Sequence, residues 1–339
     1  MSPRVSIIMR TQNRPLLLTR ALGSVAAQNF EDFELIVVND AGDPAPVEAC
    51  VSQLPQPARD RVTIIHRDKA SGREAAISPG LEVATGDYIT IHDDDDTWAP
   101  QFLERCVEFL DAHPDHVAVA ARCDVVREKI DDDGTITEVG REVLDANRSW
   151  WTLTDTLVES YSPPIAQVIR RDVAVRLGGW NGNMQTQADW DFSVRLLAQG
   201  SAGFIDGEPL AHWHHRQDAQ GAMGNSIFLA SDDHISANLL ARDRYLRAEI
   251  NHADNDHFET QLGQALQIAE YYKRLSQELH QQIDALHSAL YASHLDTKKD
   301  LETLSTKMDA AIAKIESLEN TVASLHQERQ TKRELNDQE

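Results

Sequence analysis

Over the first hundred positions, apolar residues fall in short β-branched runs, each followed by a stretch with helical spacing. Val5, Ile7, Ile8 and Met9 form the first run, residues 15–28 carry a helical pattern, and Phe33, Leu35, Ile36, Val37 and Val38 form the second run. A third run at residues 62–65, a helical segment at 73–84 and a fourth run at 88–91 continue the alternation. Strands that are apolar at nearly every position, rather than at every second one, are covered on both faces, so the pattern predicts βαβ units around a parallel sheet. Ligands of such sheets gather beyond the carboxyl ends of the strands. Asn39 and Asp40 fall there, and so does the acidic run Asp93, Asp94, Asp95 and Asp96.

Further along, a helix is expected at about 100–112 and a strand at 117–121. Asp131, Asp132, Asp133 and Gly134 read as a hairpin turn with no metal role, because Asp-Gly tolerates left-handed backbone and no buried strand delivers them to a crevice. Ser162, Pro163 and Pro164 mark a loop, and a short helix should stop at Gly178 and Gly179. From about residue 257 Gly and Pro nearly vanish. Leu301, Leu304, Met308, Ala311, Ile315, Leu318, Val322 and Leu325 then keep a three-four spacing, the seam of a coiled coil. With Leu301, Met308, Ile315 and Val322 at a, and Leu304, Leu318 and Leu325 at d, a parallel pair is favoured over three strands, and Lys314 at g faces Glu319 at e of a partner helix. Upstream, Leu275, Leu279, Ile283, Leu286 and Leu290 extend the stripe through four-residue stutters. The expected organisation is a catalytic domain over 1–242, a helical connector over 243–270 and a coiled-coil tail over 271–339. That tail either self-associates into a homo-oligomer or docks on a partner; the alternative is one long helix packed on its own domain.

Charge narrows the partners. Acidic side chains outnumber basic ones by 55 to 32, a formal charge of -23, which repels a phosphate backbone and argues against nucleic acid. The three cysteines, Cys50, Cys106 and Cys123, are widely spaced among apolar neighbours and read as reduced core thiols, not a disulfide framework. No signal peptide and no apolar run long enough to span a bilayer is read. The expectation is a soluble cytoplasmic protein, with peripheral association at the inner face of the membrane left open.

Several motifs in order resemble family 2 glycosyltransferases. Residues 5–14 (VSIIMRTQNR) are similar to that family's opening strand and donor loop, 33–40 (FELIVVND) to its second strand and uracil-binding aspartate, and 86–100 (GDYITIHDDDDTWAP) to its metal-binding strand end. The resemblance is clear over 1–120 and looser over 165–216. It implies a GT-A fold, a Rossmann-like α/β domain for nucleotide sugars. It also implies transfer of a sugar, with inversion, from a nucleoside diphosphate to a glycan hydroxyl, in surface-polysaccharide assembly. A UDP-sugar is the first expectation for the donor and a dTDP-sugar the second, since Asp40 can accept from the imide N–H of either base. The rival is a degenerate domain that serves only as a coiled-coil scaffold of a glycan-assembly complex. A sugar-nucleotide pyrophosphorylase is disfavoured, because residues 10–14 hold no glycine for a phosphate loop.

The chemistry explains the acidic run. A departing nucleoside diphosphate gathers negative charge, and Mn²⁺ or Mg²⁺, held by carboxylates, offsets it while leaving positions for substrate. Asp93 and Asp95, two apart on extended backbone, project to one side. Asp95 is the expected direct ligand, Asp93 touches the metal or the donor ribose, and Asp94 and Asp96 support them. The resemblance places Thr11 and Arg14 against the donor. The family often carries Ala-Arg-Asn where this chain has Ala76, Ile77 and Ser78, so Arg73 is the candidate replacement. The acceptor hydroxyl needs a base. Asp189, in the stretch Ala188, Asp189, Trp190, Asp191, aligns with it, and Asp191 is the fallback. Trp180 and Trp190 suit sugar stacking if exposed and packing if buried. Of His212, His214 and His215, either His214 or His215 is expected to complete the metal site; the spacing is not that of a closed zinc site.

Overall fold

The computed structural model describes residues 2–252 apart from 132, 185, 217–222 and 226–230, together with isolated helical positions at 273–274, 282, 285–286, 305–306 and 308–310. The chain divides into two units, Met1–Ala253 and Asp254–Glu339. The coiled-coil seam at 301–325, and the stripe before it, lie almost wholly outside the described residues.

The expected alternation is present. Strands β1 (Val5–Thr11), β2 (Phe33–Asn39), β3 (Val62–His66) and β4 (Tyr88–Asp93) run parallel, with helices α1 (Pro15–Ala26), α2 (Pro44–Ser52), α3 (Gln56–Arg59) and α4 (Ile77–Val83) between them. After the short β5 (Thr97–Trp98) and helix α5 (Phe102–Ala112) come β6 (Ala118–Ala121), β7 (Cys123–Ile130) and β8 (Ile136–Val143). The chain continues through α6 (Leu153–Val158), a 3-10 turn (Pro164–Ala166), β9 (Gln167–Arg170), α7 (Arg171–Arg176) and α8 (Ala188–Leu197). Strands β10 (Ala202–Ile205) and β11 (Ala211–His215) precede the last described helix, α9 (Ser231–His252). The main sheet has the order β10-β6-β9-β4-β1-β2-β3, and β5-β11-β7-β8 form a second, smaller sheet.

Strand alternation explains why the apolar runs are nearly unbroken. Ile7, Met9, Leu35 and Val37 face one core with the inner side of α1, whereas Ile8, Ile36 and Val38 face another with Ile77, Trp180 and Phe192. Burying both faces of the central strands fixes their register, since a slip of one residue would exchange the two cores. Gly80 lets α4 lie close on β1: a Cβ there would meet Ile8 Cγ2 at 2.5 Å. The Asp131–Gly134 turn closes the β7–β8 hairpin as expected, with Gly134 at φ +84° and its N–H donating to the Asp131 carbonyl.

Three local readings change. Residues 165–170, expected within a loop and helix, contain β9, which pairs antiparallel with both β4 and β6. Helix α4 starts at Ile77 and not near 73, because the Arg73 carbonyl is taken by the Arg10 guanidinium at 3.1 Å. Residues 243–252, expected to open a helical connector, continue α9, and Arg244 and Tyr245 bond Asp191 on α8.

Candidate active site

Strands β1 and β4 are neighbours, and the register sets Arg10 beside Asp93 at their carboxyl ends. From there the chain turns through Asp94 and Asp95, and Asp96 reaches across to the second sheet. Asp93 accepts from Arg10 through both oxygens, at 2.5 and 3.1 Å. Asp94, fully buried, accepts from the Thr11 hydroxyl at 2.6 Å and from the Arg14 guanidinium. Oδ2 of Asp95 accepts from Arg14 at 3.3 Å, from Asn225 at 3.4 Å and from Arg216. Oδ1 of Asp96 accepts the His214 backbone N–H at 2.9 Å. Like charges packed this closely repel one another, and here guanidinium groups supply much of the compensation.

Burial, together with Asp95 and Asp93, holds the Asp96 carboxyl well above the usual range. Asp94 is pushed up to about 6 by burial, against the pull of Arg14. Asp93 goes the other way: its burial is outweighed by Arg10, which holds it well below the usual range.

One carboxylate oxygen from each of Asp93, Asp95 and Asp96 lies within 4.8 Å of the other two. An all-oxygen group of this kind suits Mg²⁺ or Mn²⁺. Among the described residues no hydrogen bond reaches Oδ1 of Asp95 or Oδ2 of Asp96, so each has an oxygen to offer. Asp93 has both oxygens engaged by Arg10.

Two predicted histidines stand differently from the expectation. The His214 ring is spent on structure: Nδ1 donates to Glu128 at 2.8 Å and Nε2 accepts from Thr97 Oγ1 at 2.8 Å, which leaves neither nitrogen for a metal. Burial lowers its pKa, in keeping with this neutral ring. His215 lies edge-on to Trp213 at 4.3 Å, outside the acidic group, and burial and Arg216 push it down to about 4.

The remaining predicted residues separate into two sides. Asp40 ends β2 as expected, and its carboxylate accepts from the Ser71 and Gly72 N–H groups, each at 3.1 Å, and from Arg67 at 3.0 Å, which ties down residues 67–72. Arg73 donates to Glu74 at 3.0 Å and stands 3.8 Å from Asp189. Asp189 occupies the first turn of α8, and its Oδ1 is buried without a hydrogen-bond partner among the described residues. Burial and the neighbouring Glu74 push its carboxyl up to about 7, against Arg10 and Arg73. Asp191 turns away from the site, bonded by Arg195, Arg244 and the Tyr245 hydroxyl, and it anchors α9 to α8. Trp180 and Trp190 pack: the first stacks on Phe192 at 3.8 Å and the second donates to the Thr156 carbonyl at 2.6 Å.

Four contributors escaped the sequence reading. Arg10 and Glu74, 4% and 1% exposed, sit between the acidic run and Asp189. Glu128 gathers Arg20, His214 and Arg216 beneath Asp95, and the contacts with His214 and Arg20 outweigh its burial and draw it down to about 2. Arg216, 1% exposed, links Glu128 to Asp95. The signal for Arg10 was a charged residue ending a buried strand.

Residues 6–171 match the profile described as Glycosyl transferase family 2. YwdF of Bacillus subtilis (strain 168), described as an uncharacterized glycosyltransferase, is 31% identical over 193 residues, 57% of this chain and 67% of that protein. The chain belongs to glycosyl transferase family 2 and is a glycosyltransferase. The putative colanic acid biosynthesis glycosyl transferase WcaA of Escherichia coli (strain K12) is 39% identical over 103 residues, 30% of this chain and 36% of that one. In fold, the chain is similar to TarS 1-349 of S. aureus solved with UDP-GlcNAc, at a TM-score of 0.54 and 15% identity over 75% of each chain. The α/β architecture is thus that of a GT-A domain. No described helix is long and apolar enough to cross a membrane.

Proposed function

We propose that the protein is an inverting, divalent-metal-dependent glycosyltransferase that moves a sugar from a UDP-sugar, or next a dTDP-sugar, to a hydroxyl of a growing polysaccharide. The observation that carries this reading is the facing of two unlike carboxylate sets. Asp93, Asp95 and Asp96 converge within 4.8 Å, while Asp189 alone, across Arg10 and Arg73, is poised near neutrality.

Bound at Asp95 and Asp96, Mn²⁺ or Mg²⁺ would offset the charge of the diphosphate leaving group. Thr11 and Arg14 orient Asp94 and Asp95, and Arg14 lies where it can also meet the donor phosphates. Asp40 would meet the imide N–H of the donor base at the end of β2, where its carboxylate also holds residues 67–72. Asp189 takes the proton from the acceptor hydroxyl as the oxygen attacks the anomeric carbon from the side opposite the diphosphate. A single displacement of this kind inverts that carbon.

The donor class is supported by the UDP-GlcNAc complex of TarS, and the polysaccharide acceptor by the name of WcaA. The tail is proposed to make the enzyme a homo-oligomer. Screening a panel of nucleotide sugars for hydrolysis and transfer, with Mn²⁺ and with EDTA, tests the assignment. Turnover that ignores EDTA would refute the metal role, and activity that survives Asp95→Ala with donor turnover abolished would favour the scaffold.

A further inference from the structure

Between the acidic run and α8 lies a row of alternating charges: Asp93, Arg10, Glu74, Arg73, Asp189. Arg10 grips both oxygens of Asp93, and its Nη1 lies 3.5 Å from Glu74. Glu74 also accepts from Arg73 at 3.0 Å. Among the described residues, Asp189 has only the looser approaches of Arg10 at 4.0 Å and Arg73 at 3.8 Å. Three carboxylates thus share two guanidinium groups. The two that are held tightly are Asp93 and Glu74, and the remaining one is Asp189, with an unbonded buried oxygen. Charge balance within the row therefore places a proton on Asp189 more readily than on the others.

We propose that Arg10 is a positioning residue for the reaction, a fixed cation that holds Asp93 in place and, with Glu74 acting against it, sets how readily Asp189 gives up its proton. This rests on the reading of Asp189 as the base. The charged groups that face Asp189 are Arg10 on β1, Arg73 and Glu74 in the turn before α4, and Asp93 at the end of β4. Asp191, on the same helix, is spent on Arg195 and Arg244. Arg10 is suited to the task because it is immobile: it is 4% exposed, and it is braced by the Arg73 carbonyl at 3.1 Å as well as by two carboxylates. A guanidinium also stays charged throughout the working pH range.

The test titrates Asp189 directly, by infrared difference spectroscopy of the protonated carboxyl band in the full-length protein without substrate. The band is assigned by its loss in Asp189→Asn. Arg10→Met should move the midpoint up by about one pH unit or more, since a cation near a carboxylate lowers its pKa by about 1–3 units. Arg10→Lys, which keeps the charge, should restore most of the shift, and Glu74→Gln should move the midpoint down by a similar amount. A merely structural role would lower the thermal midpoint and leave the titration in place. A midpoint unmoved in both Arg10→Met and Glu74→Gln overturns the proposal, as does the absence of any band lost in Asp189→Asn. Donor turnover in the same variants separates the two claims. If Asp189→Asn is inactive while Arg10→Met leaves the titration unmoved, the base stands and Arg10 falls; if Asp189→Asn stays active, the base itself falls.

Discussion

Replacing Asp189 by Asn keeps the shape of the side chain and removes its ability to take a proton. The structure gives the size of the effect in two parts. General-base assistance is worth about 10²–10⁴ in rate, so kcat/KM should fall by that factor at pH 8, where the carboxylate is ionised. With a carboxyl poised at about 7, roughly one enzyme in eleven holds the ionised base at pH 6 and ten in eleven at pH 8. The wild type should therefore gain about tenfold in kcat/KM across that interval. Asp189→Asn should lose this slope as well as the rate. The assay is initial-rate turnover of the donor selected by the nucleotide-sugar panel, at fixed Mn²⁺ and ionic strength, with the thermal midpoint followed in parallel. The stability sign is fixed independently. A carboxyl raised in the folded state from 3.8 to about 7 contributes stability that is fully present below the lower value and is lost as pH rises through the higher one. Asp189→Asn should thus flatten the decline in midpoint between about pH 4 and pH 8. A variant that keeps the tenfold rise, or loses less than about threefold in rate, refutes the assignment of the base.

Other expectations follow from named contacts. Asp95→Ala should cut turnover by about 10²–10³ and abolish Mn²⁺ binding measured by electron paramagnetic resonance; unchanged binding would move the cation elsewhere. EDTA should stop transfer yet leave the thermal midpoint in place, because Arg14 and Arg216 already offset Asp94 and Asp95, and a large fall in midpoint would contradict that. Asp40→Asn should loosen residues 67–72 by roughly 1.5–3 kcal/mol, the worth of hydrogen bonds to a charged group, and weaken UDP binding in calorimetry. Unchanged hydrogen exchange across 67–72 would show that the Asp40 carboxylate does not hold this loop. Removing residues 254–339 should convert an oligomer to a monomer by light scattering, and an unchanged mass per particle would sink self-association through the tail.

The strands were legible because burial on both faces writes itself as continuous apolar runs, and Asp40 and Asp93 were legible because they end two of those runs. The pairing of β9 was not, since a four-residue strand after two prolines carries too short a pattern to stand out from a loop. Arg10 and Glu74 were hidden for a different reason. A single charge at a strand end, or on a helix-like stretch, reads as solvated until the register brings Arg10 beside Asp93 and draws the Arg73 carbonyl out of the helix. Trp180 and Trp190 show a different limit: aromatic type left sugar contact and packing both open, and burial at 4% and 2% assigns them to packing. His214 was placed at the right edge, but its partners Glu128 and Thr97 lie far from it in the chain, and only the second sheet brings them together.

Asp40 and Asp93 to Asp96 all lie before residue 97, whereas Asp189 arrives on a helix beyond the stretch 6–171 of the family match. On the proposed roles, delivery and receipt of the sugar are written on separate lengths of chain that meet at one seam, Arg10 with the turn at Arg73 and Glu74. Such an enzyme can be retailored piecewise. Substitutions beyond the match can change what accepts the sugar while the donor machinery is inherited whole, provided that the incoming carboxylate still meets the same two guanidinium groups.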